Sequence, residues 1–187
     1  MTSFLQFCNK LSQLDQLATD DLLDNLYSQS FARGQYLLKV GQICREFFFI
    51  DEGLVKTYFN KEDKEFIMRF FAENSICTQL QSYISQTPST FKMIALEPTT
   101  VTYLQYADFE DLCKKHHTIE TLYRKFVSIA SVNMMKRVGE LLEENATERY
   151  NHFVKENNDL LQRISLGDLA NYLGITQVSL SRIRAKK

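Results

Sequence analysis

One stretch limits the architecture more than any other. "TIETLYRKFVSIASVNMMKRVGELLEE", from Thr118 to Glu144, has no proline and a single glycine. At 1.5 Å per residue, its roughly 26 residues predict a helix of about 39 Å. Ile119, Leu122, Phe126 and Ile129 recur at spacings of three and four, and Val132, Met135, Val138 and Leu142 continue the stripe. A helix this long exceeds the globular average, so it either crosses a domain face or pairs with another chain. For pairing, the stripe nominates Leu122, Phe126 and Ile129 as dimer-interface residues.

Everything before this helix has a different texture. Leu11, Leu14, Leu17, Leu22 and Leu23 recur at helical intervals near the N-terminus, where Thr19 is the candidate N-cap. From about Ser28 to Tyr106 the chain reads as β. "YLLKVGQICREFFFIDEGLVKTYF" is rich in aromatic and β-branched residues, and "EFFFIDEGLVKTYF" predicts strand, turn, strand with Asp51-Glu52-Gly53 at the bend. "EFIMRFF" and "TTVTYLQY" are further strands. "SICTQLQSYISQTPS" between them predicts a short helix and a loop ending at Pro88, and "ADFEDLCKKHH" predicts another helix. Short strands separated by turn signals imply an antiparallel sandwich or barrel.

After the long helix and one more helical segment comes "ISLGDLANYLGITQVSLSRIRAKK". Ser165 can cap a helix that turns Leu166, Leu169, Ala170 and Leu173 inward. Gly174 supplies the positive φ that ends it, and Thr176 caps a second helix with Val178, Leu180 and Ile183 available for packing. Two short helices joined at glycine, with a small residue where they approach, fit a helix-turn-helix. The second helix displays Gln177, Ser179, Ser181, Arg182 and Lys186, which can donate to base edges and phosphates. The competing reading is an ordinary helical hairpin with a solvated basic end.

Net charge is −1, from 22 Lys+Arg against 23 Asp+Glu. That balance excludes a protein basic all over but permits a local patch. No apolar run approaches a membrane span, and the N-terminus lacks the pattern of a signal peptide, so a cytoplasmic location is expected. Cys8, Cys44, Cys77 and Cys113 are scattered without a close pair, and no metal site is expected. Nor is an enzyme. His116 and His117 are adjacent and do not face each other, His152 is alone, and no nucleophile or phosphate-loop motif occurs.

A β-roll, a long helix and a C-terminal helix-turn-helix together resemble the Crp/Fnr family of bacterial transcription regulators, in the short form common in Bacteroidetes-type bacteria. "FARGQYLLKVGQICREFFFIDEGLVKTYF" is similar to that family's sensor signature, and "LANYLGITQVSLSRIRAK" to its DNA-reading motif. The resemblance implies an α+β fold. It comprises an N-terminal antiparallel β-roll of the double-stranded β-helix or jelly-roll type with flanking helices, a long dimerisation helix, and an all-α helix-turn-helix domain. The corresponding divisions are a cyclic-nucleotide-binding-like sensor at residues 1–116, the helix at 117–144 and the DNA-binding domain at 145–187. The implied partners are double-stranded DNA, a second copy of the chain and RNA polymerase.

Nucleotide-binding members carry a Gly-Glu pair and an Arg-Ser/Thr pair in a phosphate-binding cassette. Here Thr78 and Gln79 stand at the first pair, and Ser89 and Thr90 at the second. These four are the effector-pocket candidates. A buried phosphate without its arginine loses a charge-assisted bidentate partner, and Lys92 would point differently. The pocket is therefore expected to be degenerate for cyclic nucleotides, with no cofactor implied and any effector unknown. In the recognition helix Gln177, Ser179 and Arg182 match contacting positions, whereas Val178 replaces an acidic reader. Family members continue into a β-hairpin wing while this sequence stops at Lys187, so either the branch lacks the wing or the sequence is truncated. The alternative to a DNA-binding regulator is a ligand-binding or protein-interaction module with a vestigial tail.

Overall fold

The computed structural model describes residues 3–185. Two helices open it, α1 (Ser3–Leu11) and α2 (Gln16–Asp24). The cap of α2 is Asp15, whose carboxylate accepts from the Ala18 N–H at 2.9 Å. Thr19, the expected cap, lies inside the helix and donates its hydroxyl to the Asp15 carbonyl at 2.8 Å. Starting at Asp15 lets Ala18 and Leu22 both reach the core.

Eight strands follow: β1 (Tyr27–Phe31), β2 (Tyr36–Leu38), β3 (Glu46–Glu52), β4 (Val55–Lys61), β5 (Lys64–Phe71), β6 (Ile76–Cys77), β7 (Lys92–Ala95) and β8 (Thr99–Gln105). They form two four-stranded sheets, ordered β1-β8-β3-β6 and β2-β7-β4-β5. The expected strand–turn–strand at Gly53 is thus no hairpin within one sheet. The chain leaves the first sheet and enters the second there. Gly53 has φ 103°, and a Cβ on it would strike Thr99 Oγ1 and sit 2.6 Å from the Pro98 carbonyl oxygen.

The run Phe47-Phe48-Phe49-Ile50 in β3 is wholly buried because both faces of its sheet are covered. Phe47 and Phe49 face helices. The Phe47 ring stacks on Phe109 at 5.1 Å, and Phe49 meets Phe4 at 5.3 Å. Phe48 points the other way, toward Phe31 and Tyr103. The short helix α3 (Leu80–Ser85) lies between β6 and β7. Helix α4 (Tyr106–Lys115) ends at His116, whose Nε2 lies 2.5 Å from Asp21 Oδ2, as does Lys115 Nζ. Hydrogen bonds from Lys115 and His116 hold the Asp21 carboxyl below its usual range.

The long helix α5 spans His117–Glu143. Its stripe divides. Ile119 and Leu122 are buried in the chain's own core, and Phe126 packs its ring edge-on to Phe47 at 4.9 Å. Leu122, at 3% exposure, is therefore spent within the protomer and unavailable to a partner, and Phe126 largely so. Ile129 is exposed, as are Val132, Met135, Val138 and Leu142. The change follows the sheet, which covers only the first turns.

Helices α6 (Ala146–Glu156), α7 (Leu166–Leu173) and α8 (Gln177–Ala185) complete the described chain, with a 3₁₀ turn at Asn158–Gln162. By internal contacts the chain forms two compact units. One takes in the chain up to Thr57 together with Phe70–Ala130. The other takes in Tyr58–Arg69 and the chain from Ser131 onward. The division falls inside α5 and inside the β4–β5 hairpin.

Candidate nucleic-acid interface and effector pocket

The helix-turn-helix is built from its caps. Ser165 Oγ accepts from the Asp168 N–H at 2.9 Å and donates to Asp168 Oδ2 at 2.6 Å. Gly174 closes α7 with φ 69°, and the Ile175 N–H reaches back to the Ala170 carbonyl at 3.0 Å. Leu169, Ala170, Leu173 and Leu180 bury the contact between α7 and α8. Small Ala170 lets the helices close.

Two arginines missed in the sequence brace this unit. Arg149 Nε donates to the Leu173 carbonyl at 3.0 Å while its Nη1 donates to the Glu144 carbonyl at 2.5 Å. The Arg137 guanidinium lies 4.0 Å above the Tyr172 ring, and its Nη2 donates to the Tyr172 carbonyl. The last carbonyls of α7, orphaned by the end of the helix, thus accept from guanidiniums of α5 and α6. No local pattern marks these residues, since their partners lie 24 to 35 positions away.

On α8 the exposed face carries Gln177, Val178, Ser181, Arg182 and Arg184. Val178, expected to pack inward, is 61% exposed, because the helix turns Leu180 inward instead. Ser179 leaves the reading face. Its N–H donates to Thr176 Oγ1 at 3.1 Å, and the two hydroxyls are 3.0 Å apart. Thr176 and Ser179 therefore cap α8 rather than reach outward. The Gln177 amide rests over α7, where a Cβ added at Gly167 would sit 3.0 Å from Gln177 Nε2. Lys186 lies outside the described residues.

Of the four effector-pocket candidates, Gln79 and Ser89 bond within their own loop and Thr78 bonds to β3. Thr78 Oγ1 donates to the Glu46 carbonyl at 3.2 Å and lies 3.4 Å from Cys44 Sγ. Gln79 caps α3, accepting from the Ser82 N–H at 2.6 Å. Ser89, buried, accepts from the Phe91 N–H at 3.0 Å and donates to the Phe91 carbonyl at 3.1 Å. Thr90 is exposed. None of the four lines the cavity of about 280 Å³ in the β-roll, which is bounded by residues of β1, β2, β3 and β8.

The remaining chemistry is muted. No close cysteine pair forms, and burial pushes Cys8 and Cys113 up to about 12, so both stay protonated at neutral pH. Among the described residues no three His, Cys, Asp or Glu side chains converge on a metal-sized site. No described helix is long and apolar enough to cross a membrane.

The cyclic nucleotide-binding domain family matches residues 28–116. Among solved structures, FixK2 from Bradyrhizobium japonicum is similar with a TM-score of 0.74 at 16% identity, over 86% of this chain and 83% of that one. The chain shares the fold of Crp/Fnr-family regulators. A putative crp/fnr-family transcriptional regulator from Eubacterium rectale gives 0.73 at 16% identity, over 91% and 82%. A mutant of CooA from Carboxydothermus hydrogenoformans gives 0.71 at 17%, over 88% and 77%. No curated protein sequence matches significantly. At these identities the Crp/Fnr likeness is one of fold.

Proposed function

We propose that this Crp/Fnr-type chain is a homodimeric, sequence-specific DNA-binding transcription regulator that acts without a cyclic nucleotide. The observation that carries the reading is the capped α7–Gly174–α8 corner, which leaves Gln177, Ser181 and Arg182 on one exposed face. A recognition helix uses its first turn for base edges, where the amide of Gln177 can pair bidentately with adenine. Arg182 lies one turn on and reads a guanine or clamps a phosphate.

Dimerisation is assigned to the downstream half of α5. Ile129, Val132, Met135, Val138 and Leu142 are 48%, 63%, 74%, 47% and 80% exposed. Isolated apolar residues at a surface are ordinary, but Val132, Met135, Val138 and Leu142 fall within about 120° of arc on one helix and supply a seam. Paired this way, two recognition helices meet successive major grooves about 34 Å apart. The cassette supports nucleotide independence, since it has no arginine and Thr78, Gln79 and Ser89 already bond to backbone. Contact with RNA polymerase, in the cytoplasm, belongs to the same reading.

The test is selection from a random duplex library followed by anisotropy at several salt concentrations. The expected outcome is one enriched, two-fold symmetric site with a steep salt slope, unchanged by cyclic AMP. A flat salt slope with no enriched site would remove DNA from the proposal. Sub-micromolar binding of cyclic AMP in calorimetry would remove the claim about the cassette.

A further inference from the structure

The cavity of the β-roll is built from residues the family comparison does not single out. Glu46 and Phe48 are two apart on β3 and therefore share a face, and Phe48 pairs across the sheet with Tyr103 of β8. Phe31 of β1 meets the Phe48 ring edge-on at 6.3 Å, and Tyr103 meets it at 5.7 Å. All four line the cavity, with Tyr36 and Lys39 from the β2 side. Its volume of about 280 Å³ is close to the lower end of small-molecule pockets, about 300 Å³.

The chemistry of this lining is selective. Four aromatic residues and three glutamines, Gln29, Gln35 and Gln42, surround one carboxylate, and Phe31 and Phe48 are almost wholly buried. Glu46 Oε2 accepts the Arg45 N–H at 3.2 Å, and among the described residues Glu46 makes no ion pair. Desolvation raises its pKa, with the Arg45 N–H and the Arg45 charge opposing only in part. Lys39, the other charge on the lining, places its Nζ over the Tyr36 ring at 5.7 Å rather than on Glu46. A half-buried carboxylate with no ion-pair partner is costly.

We propose that this cavity binds a small organic amine, its ammonium paired with Glu46 and its carbon chain alongside the half-buried Tyr103. The site adjoins the cassette, since the Glu46 carbonyl accepts from Thr78 and the Gln42 carbonyl from the Ser89 N–H, but none of the four cassette candidates lines it, and it does not depend on the DNA-binding reading.

Calorimetry on the full chain tests this with three probes, phenethylamine, cadaverine and tetramethylammonium, and with neutral phenethyl alcohol as the control. At least one amine should bind saturably to wild type and about tenfold or more weakly to Glu46→Gln, a factor set by loss of one charge pair. Phenethyl alcohol should not distinguish the two proteins. Amide shifts in the unmodified protein give a second readout that does not rely on the variant folding. Those caused by the bound amine should centre on Phe31, Glu46 and Tyr103. Failure of all three amines to bind, equal affinity for both proteins, or shifts centred elsewhere would each overturn the proposal.

Discussion

The loop from Thr78 to Thr90 and the corner from Ser165 to Arg182 invite comparison. Both carry small polar residues at positions that resemble a functional motif, and they dispose of them in opposite ways. In the loop, Thr78, Gln79 and Ser89 give their hydrogen bonds to neighbouring backbone. At the corner, Thr176 and Ser179 do the same, but they thereby fix a helix that holds Ser181 and Arg182 outward. A polar side chain is available to a ligand only when the local backbone has not already claimed it.

The largest effect that would break this contrast concerns the outward surface of α5. Met135→Asp or Val138→Asp should convert dimers into monomers in sedimentation at micromolar concentration, since a charge would enter an apolar seam with no partner. Phe126→Asp should behave differently. Because Phe126 packs on Phe47, that variant should lower thermal stability by roughly 2–4 kcal/mol rather than act on association alone. If the two classes of variant act alike, the division of the stripe at Ile129 is wrong.

Next come the two polar surfaces themselves. Gln177→Ala should cost roughly 1–3 kcal/mol at the preferred site and little on random DNA. Arg182→Ala should either cost the same at one base position or weaken all duplexes while lowering the salt slope by about one. Both should leave thermal stability within about 0.5 kcal/mol of wild type, as exposed substitutions do. Ser89→Ala sets the opposite case. It should lower stability by about 1–3 kcal/mol, because the Phe91 N–H loses its acceptor, and leave DNA binding unchanged in the same assay.

How much of this was legible depends on whether a signal is local. Gly174, Ser165 and the absence of proline from α5 act within a few residues, and each marked its element correctly. The buried "FFF" run was readable as core, but not the fact that its middle ring faces a different layer from its neighbours. Thr19 misled because Asp15, a better acceptor, begins the helix four residues earlier. Ser179 misled because its hydroxyl lies within reach of the Thr176 cap. The braces from Arg137 and Arg149, and the pairing of Phe48 with Tyr103, join residues dozens of positions apart. No periodicity encodes such contacts.

Two smaller effects sharpen the comparison from inside the roll. The Tyr83 hydroxyl is buried with no hydrogen-bond partner, and its ring packs against Phe47 and Tyr106. Tyr83→Phe should therefore raise stability by up to about 1 kcal/mol, measured by urea melts. Glu46 contributes a pH dependence of known sign. Burial raises its folded pKa above the unfolded value, so its ionised form costs stability. The advantage of Glu46→Gln over wild type should be absent at low pH, grow as pH rises through the folded pKa, and then level off. An advantage that shrinks with rising pH would mean the carboxylate is paired.

The partner of the first strand is the last. Among the described residues β1 pairs with β8 alone, Tyr27 opposite Tyr103, so this edge of the sheet joins residues more than seventy positions apart. A ribosome making this protein releases Phe31 long before Thr99 exists to receive it. Throughout that interval β1 is an open edge, a template for any extended segment that drifts past. Tyr27, Ser28, Gln29 and Ser30 are exposed in the finished fold, so the waiting strand is mostly polar and little inclined to stick. The same four residues that add nothing to the core leave the waiting edge mostly polar until the chain's far end arrives.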